Sequence, residues 1–135
     1  MTVASSVLDA MRSAFFGRTA ESGGILGMRD GTVCRFSFDA GAADRGEYCP
    51  DTDFLNAEIA AWRCEEIAFC GLVHTHLGGC RELSDEDKKS IAAIYGAMQK
   101  PRLYFPIVTF DGEDMALTVY RIDSDGIGRE GLDIA

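Results

Sequence analysis

An unbroken apolar run, Ile67 to Val73 (Ile-Ala-Phe-Cys-Gly-Leu-Val), leads straight into His74, and this run limits the folds open to the chain more than any other feature. A run without polar alternation predicts a strand covered on both faces. Such a strand needs a packed layer on each side of its sheet, and helical patterns are available to supply them. Val3, Val7, Leu8, Met11 and Phe15 recur at near-helical spacing, with Ser5 or Ser6 as the expected N-cap and Gly17 as the stop. Leu55, Ile59 and Trp62 predict a second helix within Asp53 to Glu65. Ile91, Ile94, Tyr95 and Met98 sit at i, i+3, i+4 and i+7 behind Ser84, and Lys100-Pro101 closes this third helix.

Further strands complete an α/β pattern. Gly24 to Met28 and Thr32 to Phe38, joined by Asp30-Gly31, predict a hairpin with Cys34, Phe36 and Phe38 on one face. Leu103 to Phe110 and Met115 to Ile122 flank a short turn containing Asp111-Gly112, and Pro106 confines the first of them to an edge or a bulge. The Gly-rich tail keeps Ile127, Leu132 and Ile134, as a last edge strand would. Asp39 to Asp51, rich in Gly, Ala and Asp, reads as a loop, the one flexible insertion and a candidate border for a binding site. With 135 residues, the chain is expected to form a single domain, 1–135.

Composition removes several function classes. Hydrophobic residues at 47% and charged residues at 26% exclude disorder. Thirteen basic against twenty-two acidic side chains give a net charge of -9, a field that repels phosphate backbones and anionic lipid, so neither nucleic acid nor membrane is an expected partner. No apolar run approaches the roughly twenty residues that span a bilayer, and the first segment carries Asp9 and Arg12 inside its apolar pattern, unlike a signal peptide. A cytoplasmic protein is the expectation. Five cysteines, an odd number without a C-x-x-C pair, argue against a disulfide framework and a zinc ribbon; they read as reduced thiols, mostly small core hydrophobes.

The two histidines of the chain are His74 and His76. Side chains two apart on a strand project from the same face, so both imidazoles can turn toward one metal ion. The competing reading is a pair of core or surface histidines bonded to backbone. A catalytic zinc site needs three protein ligands and an open position. Asp87, in the first turn of the third helix, is the leading third ligand, while Cys80, Glu82, Asp85 and Glu86 compete and spacing alone rejects none of them. Asp87 also has a structural reading, because Ser84-Asp85-Glu86-Asp87 is a good capping box.

The spacing His74-Thr75-His76, seven residues, Ser84, two residues, Asp87, preceded by Glu21-Ser22-Gly23-Gly24-Ile25-Leu26-Gly27, resembles the JAMM (JAB1/MPN/Mov34) metalloprotease signature. The resemblance covers nearly the whole chain. It implies a single MPN (JAB) domain: a mixed, curved β-sheet flanked by helices, layered as in cytidine deaminases. It further implies that His74, His76 and Asp87 ligate Zn2+, that Glu21 is the general base and acid, and that Ser84 supports the oxyanion. The implied activity is hydrolysis of a peptide or isopeptide bond at the Gly-Gly-type tail of a ubiquitin-like or sulfur-carrier protein, bound by strand addition. A non-catalytic MPN-type scaffold for protein partners is the alternative, and the oligomeric state is left open. Two positions depart from the family pattern, since Leu77 and Leu83 stand where most members have proline, which predicts a more mobile loop between them. The passage from the third helix into Leu103 leaves no room for the long second insertion of linkage-specific deubiquitinases, so the chain looks like the compact prokaryotic branch. Other hydrolase patterns are missing: there is no H-E-x-x-H, no P-C-x-x-C, and no histidine outside the pair to serve a cysteine nucleophile.

Overall fold

The computed structural model describes residues 1–41 and 48–135. Its strands form one mixed sheet. β1 (Thr2–Val3) precedes helix α1 (Ser5–Phe15), and the hairpin of β2 (Gly23–Arg29) and β3 (Thr32–Asp39) follows. Helix α2 (Thr52–Arg63), β4 (Ala68–Thr75) and helix α3 (Asp85–Met98) occupy the middle of the chain. β5 (Leu103–Tyr104), β6 (Ile107–Asp111), β7 (Asp114–Asp123), β8 (Gly126–Glu130) and β9 (Asp133–Ile134) complete it. Across the sheet the order is β8, β7, the collinear pair β5 and β6, then β4, β2, β3, β1 and β9.

The apolar run becomes β4, interior as its pattern requires, antiparallel to β2 on one side and parallel to β5 and β6 on the other. One face carries α1, whose Val7, Met11 and Phe15 pack with Leu26, Val73 and Val108. The other face carries α2 and α3, whose Leu55, Trp62 and Ile91 pack with Ile25, Leu72 and Leu103. Burying a residue such as Leu or Ile contributes roughly 1.5–3 kcal/mol, so the two clusters are the main source of stability. At Gly71 of β4, with φ of 153°, a Cβ would overlap the Tyr104 carbonyl, so only glycine lets β5 approach there.

Several details differ from the expectations. The hairpin forms, but a bulge between Gly27 and Met28 leaves Cys34 without a register partner. Side-chain parity therefore flips: Phe36 and Phe38 pack toward α1 while Cys34 packs on the opposite face. The N-cap of α1 is Ala4 rather than a serine, because Thr2 and Val3 are drawn into parallel pairing with Thr32 and Val33 and the Ala4 N–H donates to the Val33 carbonyl at 2.9 Å. Pro106 does not place its segment at an edge. It breaks one interior strand into β5 and β6, and its free carbonyl accepts the His74 N–H at 3.2 Å. The tail makes two edge strands, β8 and β9, at opposite ends of the sheet. Of the five cysteines only Cys70 is buried; Cys34 is half-buried, and Cys49, Cys64 and Cys80 are exposed. The expected loop Asp39 to Asp51 falls partly outside the described residues.

Candidate metal centre

β4 and α3 bring the two halves of the centre together. His74 is in β4 and His76 lies just beyond its end, where the His76 N–H donates to the Val108 carbonyl at 3.1 Å. Both imidazoles thus face the same side of the sheet, 4.8 Å apart between ring centroids. Asp87 occupies the first turn of α3, fixed by the expected capping box: the Ser84 hydroxyl oxygen accepts the Asp87 N–H at 3.0 Å, and Asp87 Oδ2 accepts the Ser84 N–H at 3.0 Å. Asp87 is therefore both cap and site residue.

The three side chains converge. His74 Nε2 and His76 Nε2 are 3.0 Å apart, His76 Nε2 is 3.0 Å from Asp87 Oδ2, and His74 Nε2 is 3.3 Å from Asp87 Oδ1. Among the described residues His74, His76 and Asp87 form a group that could hold a metal ion. Of the competing third ligands, Cys80, Glu82 and Glu86 line the neighbouring cleft and Asp85 does not, but none joins this group.

The donor chemistry suits a cation. A carbonyl only accepts, so the 3.0 Å bond between His76 Nδ1 and the Cys80 carbonyl places a proton on Nδ1 and leaves Nε2 of the neutral ring as a lone pair. That lone pair faces the carboxylate oxygen of Asp87 at 3.0 Å, two acceptors that a bound cation reconciles. A tetrahedral ion with bonds of about 2.0–2.1 Å sets its ligand atoms about 3.3 Å apart, close to the separations seen. Each histidine side chain is 11% exposed and that of Asp87 20%, so the centre is shielded yet open on one side. Burial opposes ionisation of Asp87, but hydrogen bonds from His74 and Ser84 outweigh it and hold the carboxyl below the usual carboxylate range.

The centre opens onto a cleft of about 760 Å3 that Glu21 and Ser84 also line. The structure thus brings all five expected site residues to one cleft. Leu72, Leu83, Ile91 and Phe105 give it an apolar floor. The loop between Leu77 and Leu83 lacks its prolines but is tethered by the His76–Cys80 bond and by Tyr120, whose hydroxyl donates to the Arg81 carbonyl at 2.8 Å.

Sequence reasoning missed three neighbours of the centre. Tyr48 lies over His74, with ring centroids 6.3 Å apart and planes 14° from parallel, and its N–H donates to Glu21 Oε2 at 3.3 Å. Asp39 accepts the Tyr48 hydroxyl proton at 2.7 Å, and burial together with this carboxylate pushes the phenol well above its ordinary pKa. Thr75 pins the backbone next to Glu21, since its Oγ1 accepts the Ser22 N–H at 3.0 Å. The available signal was the segment Asp39 to Asp51 itself, expected to border a site: its Tyr48, Cys49 and Pro50 do line the cleft, but nothing in the sequence singled out Tyr48 or Asp39 within it.

No protein-family model matches the sequence, and no curated protein does. Solved structures match in shape. The solution structure of protein DSY2949 from Desulfitobacterium hafniense has a TM-score of 0.71 and 18% identity, over 99% of this chain and 92% of that one. The crystal structure of AF2198, a JAB1/MPN domain protein from Archaeoglobus fulgidus, has a TM-score of 0.59 and 13% identity, over 100% of this chain and 96% of that one. At such identities the likeness concerns architecture, and the architecture of this chain is that of a JAB1/MPN domain.

Proposed function

We propose that the protein is a zinc-dependent metallopeptidase or isopeptidase of the JAMM type, acting on the C-terminal tail of a ubiquitin-like or sulfur-carrier protein. One observation carries this reading: His74, His76 and Asp87 converge beside a cleft that Glu21 and Ser84 share. Three protein ligands are the number that catalytic zinc sites use. Bound zinc supplies Lewis acidity, which polarises a carbonyl and lowers the pKa of water from about 15.7 to about 7.

The chain's own groups do the rest. Glu21 takes the proton of the attacking water and returns it to the leaving amine. Its Oε2 accepts the Tyr48 N–H, which leaves Oε1 for the proton. Ser84 spends its oxygen on the Asp87 N–H, so its hydroxyl proton is available to the developing oxyanion. The sheet's edge strands, β8 and β9, contribute no residue to the cleft, so an extended tail would lie beside the segment 48–50, which walls it. A net charge of -9 suits a carrier with a basic face. No helix among the described residues is long and apolar enough to cross a membrane.

Zinc-loaded protein should cleave a member of a panel of ubiquitin-like and sulfur-carrier fusions, read as a mass shift at the carrier's C-terminus. Glu21→Gln should keep its zinc and lose cleavage by about 100-fold or more. Unchanged turnover in that variant overturns the assigned chemistry, and a wild-type protein that takes up no zinc on titration returns the chain to the scaffold reading.

A further inference from the structure

We infer that Asp39 is a positioning residue for Glu21, acting through Tyr48; the inference rests on the role proposed for Glu21. Asp39 ends β3 and is 4% exposed. Its Oδ1 accepts the Gly41 N–H at 2.8 Å, and its Oδ2 accepts the Tyr48 hydroxyl at 2.7 Å and the Asp51 N–H at 3.0 Å. A buried carboxylate persists only where donors satisfy it, and here the donors come from both sides of residues 42–47. One side chain therefore gathers Gly41, Tyr48 and Asp51 at a single point. Asp51 is itself the N-cap of α2, with its Oδ1 accepting the Phe54 N–H at 3.2 Å, so the point is continuous with a helix.

Tyr48, held from behind by Asp39, serves the site from the front. Its ring covers His74 and its N–H meets Glu21 Oε2. Gly23 makes room for that ring, because a Cβ there would lie 2.6 Å from two of its carbons and 2.5 Å from the Val73 carbonyl oxygen. Glu21 precedes β2 and has three rotatable side-chain bonds, so strand pairing fixes its backbone direction and not its carboxylate. The Tyr48 N–H supplies the missing constraint. A base displaced by about 1 Å can lose about 100-fold in rate, which is the scale of effect that such a constraint controls.

The test uses zinc-loaded protein labelled with 15N-tyrosine, which carries four tyrosines. Glu21→Gln should displace the Tyr48 amide resonance in the wild-type background, and by less than about a quarter as much when Asp39→Ala is also present. Equal displacement in the two backgrounds overturns the inference whether or not a substrate is known. Tyr48→Phe, labelled with 15N-phenylalanine so that the amide of residue 48 is still read, keeps the ring and removes only the phenol bond; the displacement caused there by Glu21→Gln should weaken in the same direction, and it decides the matter if Asp39→Ala does not fold. With a cleaved substrate in hand, Asp39→Ala should lower kcat by about 100-fold, with zinc stoichiometry unchanged. The double variant with Glu21→Gln should be no slower than Glu21→Gln alone. Multiplying losses in the double variant, or loss of zinc with Asp39→Ala, also overturn it. A wild-type protein that cleaves nothing defeats the peptidase reading, and the amide resonance then decides the positioning on its own.

Discussion

The two walls of the cleft are built by different means. The wall that carries His74, His76 and Asp87 consists of an interior strand and the capped start of a helix, so backbone hydrogen bonds and core packing set its geometry. The wall that carries Glu21 and Tyr48 lies between regular elements, and side-chain hydrogen bonds to Asp39 and Thr75 set its geometry. The first wall recruits its side chains as a by-product of folding, whereas the second needs a dedicated support for each group it presents.

This contrast can be broken most directly at the first wall. His76→Ala should lower zinc affinity by more than about 100-fold, since even partners outside the ligand set cost 10–100-fold when removed. Competition with a chromophoric chelator measures it, and an affinity equal to wild type would remove the centre as assigned. Ser84→Ala should cost about 1 kcal/mol through the lost α3 cap, seen as a fall in Tm of roughly 3–5 °C for the metal-free protein. A Tm that does not move would mean that the capping box does not hold the helix start in solution.

A smaller effect follows from pH. Asp87 titrates below its ordinary value in the folded state, so it stabilises the metal-free protein above its unfolded pKa of about 3.9 and that contribution is lost as pH falls toward the folded value. Between pH 5 and pH 3 the urea midpoint should therefore drop further for wild type than for Asp87→Asn; equal drops would contradict the direction of the shift. The smallest effect sharpens the comparison through thiols. Cys70 belongs to the packed interior, where burial pushes its thiol up to about 12, while Cys49 and Cys80 line the cleft. Native alkylation at pH 8, read by mass, should modify Cys49, Cys64 and Cys80 and spare Cys70 until the chain is unfolded. Early modification of Cys70 would show that the sheet opens locally.

What was legible in the sequence follows the same division. His74 and His76 could be paired because strand periodicity converts spacing into direction, and the Ser84 cap because a capping box is local. The three helices and the hairpin emerged for that reason too. Asp87 stood level with Cys80, Glu82, Asp85 and Glu86 by spacing, and only the resemblance to a family signature singled it out. Cys34 went to the wrong face because a single bulge reverses parity without leaving a mark in the residues around it. Pro106 was assigned to an edge or a bulge because its missing N–H disrupts a ladder, but the sheet tolerates the break by dividing one strand and using the proline carbonyl instead. Asp39 and Tyr48 were legible only as members of a loop expected to border a site, since composition marks a loop without saying which of its donors meet at one acceptor. The solved structures sharing this architecture are 18% and 13% identical to the chain, so the fold tolerates replacement of most of its residues.

The double duty of Asp87 has a dynamic consequence. The same carboxylate closes the first turn of α3 and faces both imidazoles, so that turn cannot fray without dismantling the centre. An ion gripped there would act as a staple between the sheet and α3. Breathing of the helix start would then slow as ion concentration rises, which couples the lifetime of one helical turn to the supply of metal around the protein.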